Sequence, residues 1–175
     1  ITRCLVGSEM CIRDRHYLGR YTSSRHKLGQ ILQRFATRKL ADYDPQDIRA
    51  ALKHTLDQCD KLGYIDDWQF AVTMACSQRR LGRSQAVIRQ RLRQHGLNDD
   101  TIMQALAEAD EDSIDGDLKA AIRFAQRRRL GPFANRTSAS HMRHDLQQLR
   151  QRDLGAMARA GFSIAISRKI IEHDD

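Results

Sequence analysis

The sequence predicts an all-α protein of tandem three-helix repeats, three units in an elongated arrangement. Three observations carry that prediction. A cap-and-stripe beat recurs with a spacing of four: Asp44, Ile48 and Leu52; Asn98, Ile102 and Leu106; Ser163, Ser167 and Ile171. The Asp, Asn or Ser accepts a hydrogen bond from an orphan N–H of the first helical turn. The residues four and eight positions on share one helix face. The second observation is that Gly96-Leu97-Asn98 matches Gly161-Phe162-Ser163, and Leu92 matches Met157. In both places a glycine ends one helix, an apolar residue packs beside it and a cap opens the next. Such an internal repeat belongs to a scaffold or binding protein rather than to an enzyme built round a pocket. The third is composition: Gln, Arg, Ala and Leu abound and favour helix, while strand-type alternation is nearly absent. Aromatic residues make up only 6%, so the cores must be built from Leu, Ile, Ala and a few Phe, which suits small units.

Leu5 to Arg15 shows no helical period and looks like the translation of a transposon-end sequencing adapter fused to a truncated reading frame. Residues 1–15 are therefore expected to be disordered and are set apart from the fold. The first unit is placed at 16–63, truncated at its N-terminus, with the last turns of a cut helix at 16–21. Thr22-Ser23-Ser24 caps a helix to about Lys39, with Leu28, Ile31, Leu32 and Phe35 inward. Asp44-Pro45 starts the next, a cap followed by proline at the first helical position, and Ile48, Leu52, Leu56, Cys59 and Leu62 carry it to Gly63. The second unit is placed at 64–112. Asp66 or Asp67 caps a helix with Phe70, Ala71, Met74 and Leu81 inward, and Gly82 breaks it. Ser84 caps a helix holding Ile88 and Leu92, and Asn98 opens one that runs to about Ala109. Glu111 to Gly116 reads as an acidic hinge, and the third unit is placed at 113–175. Its first helix starts near Asp117, with Leu118, Ala121, Ile122 and Ala125 inward, and stops at Gly131-Pro132. A polar loop at 134–140 precedes a helix within His141 to Ala160, and Ser163 caps the last.

Net charge is +8, and +7 without residues 1–15, which hold three Arg and two acids. That balance favours an anionic partner, either nucleic acid or an acidic protein surface. No apolar run approaches the ~18 residues of a membrane span. Of the four cysteines, Cys4 and Cys11 lie in the adapter-like segment, and Cys59 and Cys76 read as small buried hydrophobes. With no Cys-x-x-Cys pair, a reducing cytoplasm is the expected location. Asp66-Asp67 reads as a helix cap and dipole partner rather than a carboxylate pair, and Trp68 as a candidate contact. His141, His144 and Asp145 lack a second cluster to complete a metal ligand set. There is no Gly-rich phosphate loop, nucleophile elbow or nucleophile–base signature. No enzyme activity, metal or cofactor is expected.

Gly63-Tyr64-Ile65-Asp66-Asp67, followed by Phe70-Ala71, resembles the junction motif between the first two units of the RecX regulatory proteins. Ile88, Leu92, Gly96 and Ile102 fit that family's second unit. Arg127-Arg128-Arg129-Leu130-Gly131-Pro132-Phe133 looks like the end of the first helix of its third, and Leu154 to Phe162 with Ile170-Ile171 like its close. The resemblance spans roughly residues 17–172. It implies a monomer that binds the RecA recombinase filament on DNA and inhibits its ATP hydrolysis, strand exchange and damage-response role. The departures are the spacer from Ala36 to Tyr43, the extended loop at Asn135-Arg136-Thr137-Ser138 and Ser167 at a small or apolar position.

The candidate partner-binding residues are Arg79, Arg80 and Arg83, then Arg89 and Arg93, which share a helix face at i and i+4, and Arg127, Arg128 and Arg129. The alternative reading is a direct nucleic-acid binder with a recognition helix. Only the Ser84 helix, with Gln85, Arg89 and Gln90, suits that role. The Asn98 helix opens with Asp99 and Asp100, which face phosphate badly. Weak nonspecific DNA contact fits either reading.

Overall fold

The computed structural model describes residues 23–110, 115–134 and 143–172, with side chains of the last segment from Leu146. The expectations for 1–15, for 16–21, for most of the acidic hinge and the polar loop, and for the side chains of His141, His144 and Asp145 lie outside these residues. The described residues form α-helices and one 3-10 turn, with no strand among them. In order they are α1 (Arg25–Lys39), α2 (Pro45–Lys61), α3 (Asp67–Arg80), α4 (Gln85–Gln94), α5 (Asp99–Ala109) and α6 (Gly116–Arg128). A 3-10 turn (Gly131–Phe133) follows, then α7 (Arg143–Arg159) and α8 (Ile164–Ile171). The chain is all-α, in tandem three-helix repeats.

All three beats are realised. Asp44 accepts from the Gln46 N–H at 2.6 Å, Asn98 from Thr101 at 2.7 Å and Ser163 from Ile166 at 3.3 Å. Ile48 and Leu52, Ile102 and Leu106, and Ser167 and Ile171 are all buried. Ser167 tolerates its apolar position because its hydroxyl donates to the Ser163 carbonyl at 2.8 Å, which satisfies the polar group where water cannot reach.

The chain falls into two compact bodies. Among the described residues, one comprises those up to Ala71 with Arg93–Thr101, the other Val72–Leu92 with the described residues from Ile102 on. In the first, α1 packs on α2 over Leu28, Leu32, Ala36, Leu40, Ile48 and Leu52. The inward face of α1 is centred one position away from the expected stripe: Ala36 is fully buried and Ile31 only half-buried. Leu62, expected inward, is 63% exposed, because it lies at the C-cap of α2 beyond the packed face. In the second body α8 packs on α6 and α7 over Ala121, Phe124, Met157, Phe162, Ile170 and Ile171. Leu81, also expected inward, is 50% exposed. It lies past the end of α3, where the chain turns at Gly82.

α6 ends before the expected stop at Gly131-Pro132. Arg129 takes the left-handed conformation (φ 54°) and closes the helix, with the Leu130 N–H donating to the Ala125 carbonyl. A left-handed side-chain residue costs about 1 kcal/mol relative to glycine. Arg129→Gly is accordingly expected to raise stability by about 1 kcal/mol, read from the urea midpoint.

Within each body the repeats join through the same joint. In the first, the Ser24 hydroxyl caps α1 by accepting from the Lys27 N–H and donates to the His95 carbonyl at 2.8 Å. The next N–H, of Arg25, donates to Asp67 at 2.8 Å. In the second, the Ser84 hydroxyl accepts from Val87 and donates to the Ala160 carbonyl at 2.7 Å, and the Gln85 N–H donates to Asp117 at 2.7 Å. In both, a serine-capped second helix sits against the aspartate that starts the next repeat's first helix. It also meets the carbonyl just before that repeat's left-handed glycine, Gly96 or Gly161. Ser84→Ala removes a cap and strands a carbonyl, so it is expected to cost about 2 kcal/mol. Ser163→Ala, which removes a cap alone, should cost about 1 kcal/mol. Urea denaturation of the two variants checks the difference.

Candidate partner-binding surface

The eight arginines singled out in the sequence have separate fates. Arg79, near the end of α3, is only 6% exposed. Its guanidinium pairs with Asp110 and Asp117, each at 2.6 Å, and also donates to the Arg83 carbonyl. Its charge is consumed internally, and Arg79 leaves the set of exposed cations. What sequence spacing could not show is that the acidic residues flanking 111–116 turn back onto α3.

Arg80 is exposed and Arg83 half-buried. Arg89 is half-buried, and its Nε is enclosed without a hydrogen-bond partner among the described residues. Arg93 is exposed and bonded to Asp99 at 2.8 Å. That bond raises the Arg93 pKa further and leaves its guanidinium partly neutralised. Arg127 donates to the Leu81 carbonyl at 2.8 Å and lies over the Phe124 ring at 5.9 Å. Arg128 and Arg129 are exposed on the side of α6 and at its end. The structure brings Arg83 and Arg128 to one groove, and adds Arg159 of α7 to them. Arg159 was missed in the sequence because it stands alone rather than in a cluster. The available signal was Gly155 four residues earlier, a glycine in a helix interior that leaves space above the helix.

The junction motif spans the end of α2 and the start of α3. Gly63 takes the left-handed conformation that ends α2, Ile65 is buried, and Asp66 caps α3 by accepting from Gln69 at 2.8 Å. Asp67 is instead the acceptor of the joint. Phe70 is buried with its ring 5.0 Å from that of His95. Tyr64 and Trp68 are exposed.

Arg25 at the start of α1 pairs with both Asp57 and Asp60 of α2. The hydrogen bond from Arg25 holds the Asp57 carboxyl below its ordinary value of 3.8 against the opposing desolvation, with the charges of Arg25, Lys53 and Lys61 adding to the lowering. A depressed folded-state pKa contributes stability that is complete above the ordinary value and fades as pH falls through the folded one. Arg25→Gln should return the Asp57 titration midpoint towards its ordinary value, read from its carboxyl carbon shift by NMR.

The proposed recognition helix, α4, is poorly placed to meet phosphate. Its first N–H is already given to the Asp117 carboxylate and its cap hydroxyl to Ala160. A carboxylate at a helix N-terminus satisfies the dipole that a phosphate would need. Among the described residues no group of three or more His, Cys, Asp and Glu could hold a metal ion, and no helix is long and apolar enough to cross a membrane.

A family model described as RecX, second three-helix domain, matches residues 66–106. The regulatory protein RecX of Myxococcus xanthus (strain DK1622) is 31% identical over 159 residues, covering 90% of this chain and 81% of that protein. The regulatory protein RecX of Agrobacterium fabrum (strain C58 / ATCC 33970) is 28% identical over 145 residues, covering 83% and 72%. A crystal structure of regulatory protein RecX shares the fold with a TM-score of 0.68 at 19% identity, covering 99% of this chain and 74% of that one. That of RecX from Lactobacillus salivarius does so at 0.66 and 17%, covering 97% and 96%.

Proposed function

The chain belongs to the RecX family of regulatory proteins, and from that premise we propose that it binds the RecA recombinase filament on DNA and restrains it. Binding would lower the filament's ATP hydrolysis and strand exchange and limit its damage-response activity. The single observation that carries this reading is the likeness to a regulatory protein RecX along 90% of the chain. A tandem array of docked helices offers several modest contact faces at once, and linkage converts modest contacts into avidity. The exposed guanidiniums of Arg80, Arg128 and Arg129 suit acidic protein patches. A regulator of this kind acts by binding one filament state better than another and needs no covalent chemistry or cofactor. It acts as a monomer in the cytoplasm, away from any membrane, with weak nonspecific DNA contact at most.

The test is RecA ATP hydrolysis on single-stranded DNA with this chain titrated in, after circular dichroism has confirmed its fold. Inhibition below one chain per RecA is expected. Unchanged hydrolysis with a folded sample overturns the proposal. Binding to single-stranded DNA without RecA separates it from direct nucleic-acid recognition.

A further inference from the structure

The second compact body carries a half-enclosed groove bounded by parts of α6 and α7. Its charged residues are Arg83, Arg128 and Arg159, and no carboxylate among the described residues lines it. Its floor is apolar, formed by Phe124, Leu130 and Ala160. Arg83 Nε is enclosed without a hydrogen-bond partner among the described residues. The Arg159 guanidinium lies back along α7: its Nη1 stands 3.3 Å from where a Cβ on Gly155 would be. Glycine disfavours a helix interior, and here it leaves the space in which that guanidinium rests. Three like charges gathered over an apolar floor repel one another until an anion joins them.

We infer that this groove docks an acidic peptide segment of the protein partner, carboxylates on the three guanidiniums and an apolar side chain on the floor. Arginine forks match carboxylates two bonds at a time, and the apolar lining, which includes Leu130, Ala156 and Ala160, gives the segment's neighbouring side chain a surface to rest on. A nucleic-acid strand fits less well, since strand binding needs exposed aromatic faces on which bases stack. The one aromatic residue among the groove's described lining, Phe124, is 8% exposed. Its ring is packed against Phe162 at 5.6 Å and covered by Arg127 at 5.9 Å. The identity of the partner as a recombinase filament rests on the function proposed above; the chemistry of the groove does not.

The probe is a fluorescein-labelled dodecapeptide alternating glutamate and leucine, titrated with the full chain by anisotropy, beside a labelled dodecathymidylate. Loss of one charge-assisted arginine contact should weaken peptide binding about tenfold. Arg159→Glu is therefore expected to do so. Lys119→Glu, the same charge change at an exposed position of α6 outside the groove, should change it by no more than about twofold. Three results would overturn the inference: no binding of the peptide, equal weakening by the two variants, or weakening of the oligonucleotide alone by Arg159→Glu. In the RecA assay Arg159→Glu should raise the concentration needed for half-inhibition. Equal inhibition by the variant and the parent refutes the groove as the filament contact. Peptide binding at the groove without any inhibition by the parent instead refutes the filament reading and leaves the groove standing.

Discussion

Arg79→Met is expected to lower stability by about 3 kcal/mol, the low end of the cost of breaking a buried ion pair. The low end applies because the carboxylates retain some water: the side chain of Arg79 is 8% exposed, those of Asp110 and Asp117 24% and 22%. Methionine fills much of the volume but leaves two carboxylates close together with no cation between them. For a chain of this length the loss corresponds to a melting-temperature drop of roughly 6–12 °C. Adding Asp110→Asn to Arg79→Met should recover part of it, since the amide removes one stranded charge. Thermal melts of the single and double variants check this. Full stability in Arg79→Met would mean that the pairing contributes nothing to the fold.

Gly96→Ala is the second large effect, and it falls at an exposed position. Surface substitutions usually change stability by less than about 0.5 kcal/mol. Here φ is +76°, and an added Cβ would lie 2.4 Å from the His26 Cβ and 2.5 Å from its Cγ. The dihedral alone costs about 1–2 kcal/mol for a side-chain residue. Relieving the overlap moves the start of α1 away, which pulls Ser24 from the His95 carbonyl and adds about 1 kcal/mol or more. A total near 3 kcal/mol is expected. Gly63→Ala separates the two causes, because Gly63 has φ +69° but nothing within 4 Å of its added Cβ. It should lose only the dihedral part. Urea midpoints of the two variants measure the difference, and equal losses would show that the close approach at Gly96 carries no energy. Gly161, with φ +82° and an added Cβ 2.7 Å from the Ser84 Oγ, should follow Gly96.

The helices were legible because their ends are written locally. Ser24, Asp44, Asn98 and Ser163 each cap the helix expected of them, since a cap needs only its own next few N–H groups. The candidate surface was less legible. Arg79 and Arg80 are adjacent and chemically identical, yet one is buried and the other exposed. Their difference lies in carboxylates more than thirty positions away in the chain, which no local pattern marks. Arg159 lacked a neighbouring cluster and gained significance only beside Arg83 and Arg128. Asp67 reads as a cap in sequence because it stands next to one; its bond to the Arg25 N–H joins residues 42 apart.

Caps, stripes and the repeat beat were thus determined by the sequence itself, since hydrogen bonds to the first helical turn and apolar periodicity act within a few residues. Only the tertiary structure decided which charges are spent and which are free, and that Ser24 and Ser84 join successive repeats as well as cap their helices. Those outcomes turn on which residues from distant segments come within 3 Å of one another, and a charge or hydroxyl has no preference along the chain that announces its partner.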